Sequence, residues 1–342
     1  MPMFTFISGY FCVKSKRSTK EKVIDTTILY VLVQLFYTSL NYAYVQDKTV
    51  KFILFWPHWT LWYLMAMILW YILSDYVNDK KKWLIVSIIV GLYIGVDTSV
   101  SGYASISRVI VYLPYFVAGM MFKTEYIKKI KKEKWKILIM AIIILVSLYL
   151  LKDYLEVDYF FEYSGYSEVG DNTLGFFIRL YHYAGSVITI LAVMVFMPDK
   201  EYKLSMIGAN SLIMYIIHAA VIKVFQVKGI FNYSTYTNAI FSELNVVLMC
   251  MIMTIFYLHV KKILIAKYRK VYLGTDLINY IESVYQILIY CLYLSYIWAI
   301  ISFKINVEFL TASNLNFSKS EWAPLLALSE IDLITIKGTL FE

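Results

Sequence analysis

Long apolar runs, separated by short charged connectors, dominate this chain and narrow its folds more than any other feature. They fall at residues 23–44, 59–77, 83–98, 106–122, 135–151, 174–197, 204–227, 245–260 and 277–303. A helix needs about 20 apolar residues at about 1.5 Å rise each to cross a bilayer. The runs therefore predict an all-α, polytopic transmembrane helix bundle of nine full-length helices. The opening MPMFTFISGYFCV is equally apolar but only 13 residues long, so it reads as a short N-terminal half-helix. It is not a signal peptide, because its basic cluster follows the apolar stretch instead of preceding it.

Composition agrees. The chain is 60% hydrophobic and only 16% charged, against about 25% charged in soluble domains. The formal net charge of +8 reads as basic connectors on the cytoplasmic face of a membrane protein, not as a nucleic-acid surface. Cys12, Cys250 and Cys291 all lie in apolar runs without metal or redox spacing, and no metal or disulfide is expected. Zinc-protease, nucleophile-elbow and phosphate-loop patterns are all absent from the sequence.

The connectors set the orientation. Lys14, Lys16, Arg17, Lys20 and Lys22 form one basic cluster. Lys80–Lys82, the seven lysines from Lys123 to Lys136, the Lys200/Lys203 pair and the five basic residues from Lys261 to Lys270 follow on every second connector. Those connectors are expected in the cytoplasm. Segment 152–173 carries Asp153, Glu156, Asp158, Glu162, Glu168 and Asp171 and is expected outside. Trp56, Trp59 and Trp62 then sit at an outer boundary, with Trp83 and Trp135 at inner ones.

Arg108, Arg179, His182 and His218 fall inside expected spans, and His58 at an outer mouth. Charge in lipid is costly and usually faces a bundle interior or a watery cavity; snorkelling to the interface is the alternative. Arg179 and His182 are three residues apart and share a helix face. Gly208, Ser211, Tyr215 and His218 are spaced by 3, 4 and 3 residues and form one stripe, which suits either a polar site or a small-residue packing face. Arg108, Tyr112 and Tyr115 share another face, beside Pro114, which frees a backbone carbonyl inside the membrane.

Four segments occur in a telling order: ISGYF at 7–11 with its basic loop, WTLWYLMAMILW at 59–70, SRVIVYLPYFVAG at 107–119 and IGANSLIMYIIH at 207–218. Together they resemble acyltransferase family 3, the integral membrane O-acyltransferases, and within it the branch of fucose 4-O-acetylases. The resemblance covers about residues 1–260 and implies transfer of an acetyl group from cytoplasmic acetyl-CoA to a hydroxyl of an extracytoplasmic glycan or lipid-linked sugar. Carried over by position, Lys14, Lys16, Arg17 and Lys20 are the expected contacts of the CoA phosphates. Ser8, Gly9, Tyr10, Trp62, Pro114, Gly119, Gly208, Asn210, Ser211 and Tyr215 are the family's motif positions. His218, His182 and Arg108 are the candidate catalytic residues.

The family implies ten helices, the first bearing a histidine near its outer end. Residues 1–13 and the runs up to 260 supply nine, so the chain is expected to lack that first helix. On that reading a non-catalytic remnant competes with the enzyme, as does a carrier of lipid-linked sugars. Residues 261–303 are expected to form a basic cytoplasmic loop and an extra transmembrane helix, and residues 304–342 an extracytoplasmic tail to which no function attaches.

Overall fold

The computed structural model describes residues 1–42, 52–100, 103–151, 155, 158–198, 211–227 and 244–259, all helix or connecting turn and loop, with no strand among them. The chain divides into two compact units, one of Met1–Asn41 with Asp47–Tyr202 and one of Tyr42–Gln46 with Lys203–Glu342.

The first unit holds α1 (Pro2–Lys14), α2 (Thr19–Leu40), α3 (Trp62–Ser74), α4 (Lys80–Tyr93), α5 (Ile106–Met121), α6 (Glu125–Lys132), α7 (Lys134–Leu151), α8 (Asp158–Phe161), α9 (Tyr166–Val169) and α10 (Asn172–Phe196). Local chemistry sets the helix starts. Ser18 and Glu21 form a reciprocal capping box on α2. The Asp79 and Asp171 carboxylates accept the first free backbone N–H groups of α4 and α10. The chain enters α5 through two left-handed residues, Ala104 and Ser105, both at φ 51°.

Among the described residues, four helices are long and apolar enough to cross a membrane: Thr19–Leu40, Tyr103–Met121, Lys134–Leu151 and Asn172–Phe196. Trp62–Ser74, Met214–Val227 and Leu244–His259 are apolar but shorter. The expected nine full-length spans are thus replaced, among the described residues, by a mixture of full and short helices. The run at 83–98 yields the 14-residue α4, which begins on three lysines and loosens after Tyr93 into 3₁₀ turns. The connector 123–136 contains a helix of its own, α6. The run at 277–303 lies outside the described residues.

Helix α5 is the hub, with α1, α3 and α4 packed on it. A Cβ at Gly9 of α1 would collide with the Phe116 carbonyl of α5, and one at Gly119 with the Phe6 carbonyl. Two motif glycines distant in sequence therefore let the α1 and α5 backbones touch. Ser8 Oγ reaches Tyr63 Oη of α3 at 2.5 Å. Trp70 stacks on Phe116 with centroids 5.5 Å apart. Its indole N–H donates to the Val109 carbonyl at 3.0 Å, and the Tyr183 hydroxyl donates to the Val111 carbonyl at 2.8 Å. These donors flank Ile110, whose carbonyl loses its helical partner to Pro114.

Helix α7 is apolar all round and buries none of its residues, as a lipid-facing helix does. It packs on α10, where Ser147 Oγ and Tyr181 Oη meet at 2.6 Å. Cys12 and Cys250 are buried free thiols.

Candidate active site

Residues 158–171 belong to the acidic connector 152–173, expected outside the membrane. They fold back over the start of α5. Tyr159, Tyr166 and Ile178 form a small apolar cluster that pins them to α10. The chain reverses at Glu162, which adopts a left-handed φ of 55°. Two donors from the first turn of α5 hold this reversal. Ser107 Oγ donates to the Glu162 carbonyl at 3.0 Å and Arg108 Nε to the Phe161 carbonyl at 2.8 Å.

The result is a carboxylate turned inward, with Glu162 only 1% exposed. Its Oε2 lies 2.6 Å from Arg179 Nε, without the alignment of a hydrogen bond, so the two form a charge pair. Its Oε1 lies 2.7 Å from His182 Nδ1. The Arg179 side chain is 2% exposed; its Nη1 donates to the Gly91 carbonyl at 3.1 Å, and its guanidinium covers the Tyr166 ring at 4.5 Å. A Cβ at Gly95 would run into that ring and stand 2.7 Å from Arg179 Nη1, so the missing side chain makes room for the pair. Burial pushes the Tyr166 hydroxyl up to about 12. It stays protonated and donates to the Leu92 carbonyl at 2.7 Å.

A carboxylate accepts, so His182 donates from Nδ1. That tautomer leaves Nε2 with a lone pair. Arg179 supplies the countercharge that a buried carboxylate requires. The arrangement is a histidine oriented by a carboxylate on a partly open side chain, which is 17% exposed. It can accept and return a proton.

The sequence candidates divide. Arg179 and His182 share this cluster. Arg108 holds its backbone, with its guanidinium 5.2 Å from the Trp62 ring centroid and 5.0 Å from that of Tyr163. Trp62 is only 6% exposed and packs on Tyr112. It is a core residue rather than the interfacial anchor expected, because Arg108 and α5 cover it. His218 belongs to the second unit, on helix Ser211–Val227, where its Nδ1 faces the Met214 carbonyl at 3.3 Å and its ring lies 5.7 Å from that of Tyr215. Gly208 and Asn210 lie outside the described residues. Arg17 pairs with Asp25, which raises its pKa, so that guanidinium already has a carboxylate partner. Lys16 and Lys20 are exposed.

Glu162 is the residue that sequence reasoning missed. The available signal was its setting: YFFEYSGY embeds this carboxylate among aromatics, and a buried Arg179 needs a counterion.

Helices long and apolar enough to cross a bilayer, gathered around α5, are those of a membrane protein. The chain matches acyltransferase family 3, described as an acyltransferase domain, over residues 1–260, and it belongs to that family. No curated protein and no solved structure matches it significantly.

Proposed function

We propose that this chain is a cell-membrane O-acyltransferase that moves an acetyl group from acetyl-CoA to a hydroxyl of an extracytoplasmic or lipid-linked glycan. Family membership supports the transfer; the resemblance to fucose 4-O-acetylases supports acetyl and a sugar. The observation that carries the site assignment is the 2.7 Å contact of His182 Nδ1 with the buried Glu162 carboxylate. His182 Nε2 takes the proton of the acceptor hydroxyl as its oxygen attacks the thioester carbonyl. The C–O bond forms, the C–S bond breaks, and the proton leaves with the thiol. Arg108, clamped by the Phe161 carbonyl and two aromatic rings, places a fixed positive charge beside the dyad for the developing oxyanion. The alternation of basic connectors supports a donor side in the cytoplasm and a dyad in the outer half of the membrane.

The test is genetic and chemical. Deleting the gene removes glycan-bound O-acetyl ester, the wild-type gene restores it, and His182→Ala, made at normal level, does not. Intact O-acetylation but lost surface delivery of the glycan in the deletion strain supports a carrier and overturns the proposal.

A further inference from the structure

At the other end of α5 from the Glu162 cluster, about 20 Å away by helical rise from Ser107 to Met120, lies a cavity of about 620 Å³. Three separate elements bring lysines to it: Lys14 ends α1, Lys80 and Lys81 open α4, and Lys123 follows α5. Lys80 Nζ also donates to the Met120 carbonyl at 3.3 Å, which ties α4 to the end of α5.

Among the described residues, the one acidic residue on the cavity is Asp79. Its carboxylate is committed to the start of α4, accepting the backbone N–H groups of Lys81 and Lys82 at 3.1 and 3.2 Å and lying 3.8 Å from Lys82 Nζ. Among the described residues, none of the four cavity lysines is in an ion pair with a carboxylate. Four ammonium groups gathered around one open pocket attract an anion. The volume lies within the range of small-molecule pockets, about 300–1,000 Å³. Lysine ammoniums are point charges suited to phosphate, and Val13, Met120 and Phe122 give the same cavity an apolar wall.

We propose that this cavity is a phosphoester-binding site, filled in the working enzyme by the nucleotide end of the acyl donor. This rests on the acyltransferase reading and adds to it. Lys80, Lys81 and Lys123 replace Arg17 as phosphate contacts, with Lys14 retained from the sequence reading. The separation along α5 favours this donor over a lipid headgroup: a ligand held by phosphates at one end of α5 and reacting at the other needs an acyl group on a long linear arm.

The experiment uses the full chain in phosphatidylcholine nanodiscs and CoA as the titrant. Lys81→Gln/Lys123→Gln weakens CoA binding by at least about tenfold, as expected for lost charged contacts. Lys128→Gln/Lys129→Gln, an equal charge change on α6, leaves the affinity unaltered. CoA lacking its 3′-phosphate binds wild type more weakly, and phosphatidylglycerol added to the nanodisc does not compete.

Equal CoA affinity in wild type and the cavity variant overturns the proposal, as does a wild type that binds no CoA. Competition by phosphatidylglycerol that depends on Lys81 and Lys123 reassigns the cavity to a lipid headgroup and also overturns it. The two readings fail separately. If the cavity variant binds CoA normally while His182→Ala abolishes transfer, only the phosphoester assignment falls. Lysine-dependent CoA binding without any acyl transfer leaves the site standing and removes the enzyme.

Discussion

Glu162→Gln separates charge from shape at the center of the candidate site. The amide keeps the volume of the carboxylate and an oxygen that still accepts from His182 Nδ1. What disappears is the negative charge 2.6 Å from Arg179 Nε. The arginine, with its side chain 2% exposed, then retains, among the described residues, the Gly91 carbonyl and the Tyr166 ring. Removing one partner of a buried ion pair costs about 3–5 kcal/mol, because the other charge stays buried and uncompensated. The surviving contacts place the expected loss near the lower end, about 3 kcal/mol. Arg179→Met alone should cost a similar amount, by leaving the carboxylate unpaired. The double variant carries neither charge, so its loss should fall short of the sum of the singles by at least about 2 kcal/mol. Equilibrium unfolding in mixed micelles, followed by tryptophan fluorescence, gives the three values. Additive losses, or a Glu162→Gln protein within about 0.5 kcal/mol of wild type, which is the scale of an ordinary surface change, would refute the buried-pair account.

Two further outcomes follow from other contacts. Gly9→Ala drives a methyl into the Phe116 carbonyl and should cost about 1–3 kcal/mol as overpacking, read as a lowered melting temperature; an unchanged one contradicts the α1–α5 contact. Burial lowers the pKa of His58, in the turn that Gln34 stitches to α2. The folded state therefore holds its proton less tightly than the unfolded one, so stability is full above the ordinary value near 6.5 and falls as pH drops below it. Thermal melts between pH 7 and 5 should show this slope, and His58→Gln should reduce it.

How much was legible in the sequence depended on whether a feature was local. Apolar length marked where helices run, because lipid-facing helices such as α7 carry little else. The shared face of Arg179 and His182 follows from a spacing of three residues. Their partner Glu162 does not, since its contact arises only when the chain reverses at a left-handed φ under two donors from α5. The meeting of Gly9 with α5 and the gathering of Lys14, Lys80, Lys81 and Lys123 are tertiary in the same way. Trp62 misled because an indole at the end of an apolar run resembles an interfacial anchor until Arg108 and Tyr112 are seen to cover it. The pairing of Arg17 with Asp25 was equally illegible, because that carboxylate sits two turns into the next helix.

The most direct test of the central claim is the initial rate of acetyl transfer by purified, reconstituted full chain, for wild type and His182→Ala, at saturating acetyl-CoA. Loss of general base catalysis predicts a kcat lower by about 10²–10⁴-fold, with CoA affinity unchanged, because the lysine-lined cavity lies at the far end of α5. A His182→Ala enzyme that turns over at the wild-type rate would contradict the account.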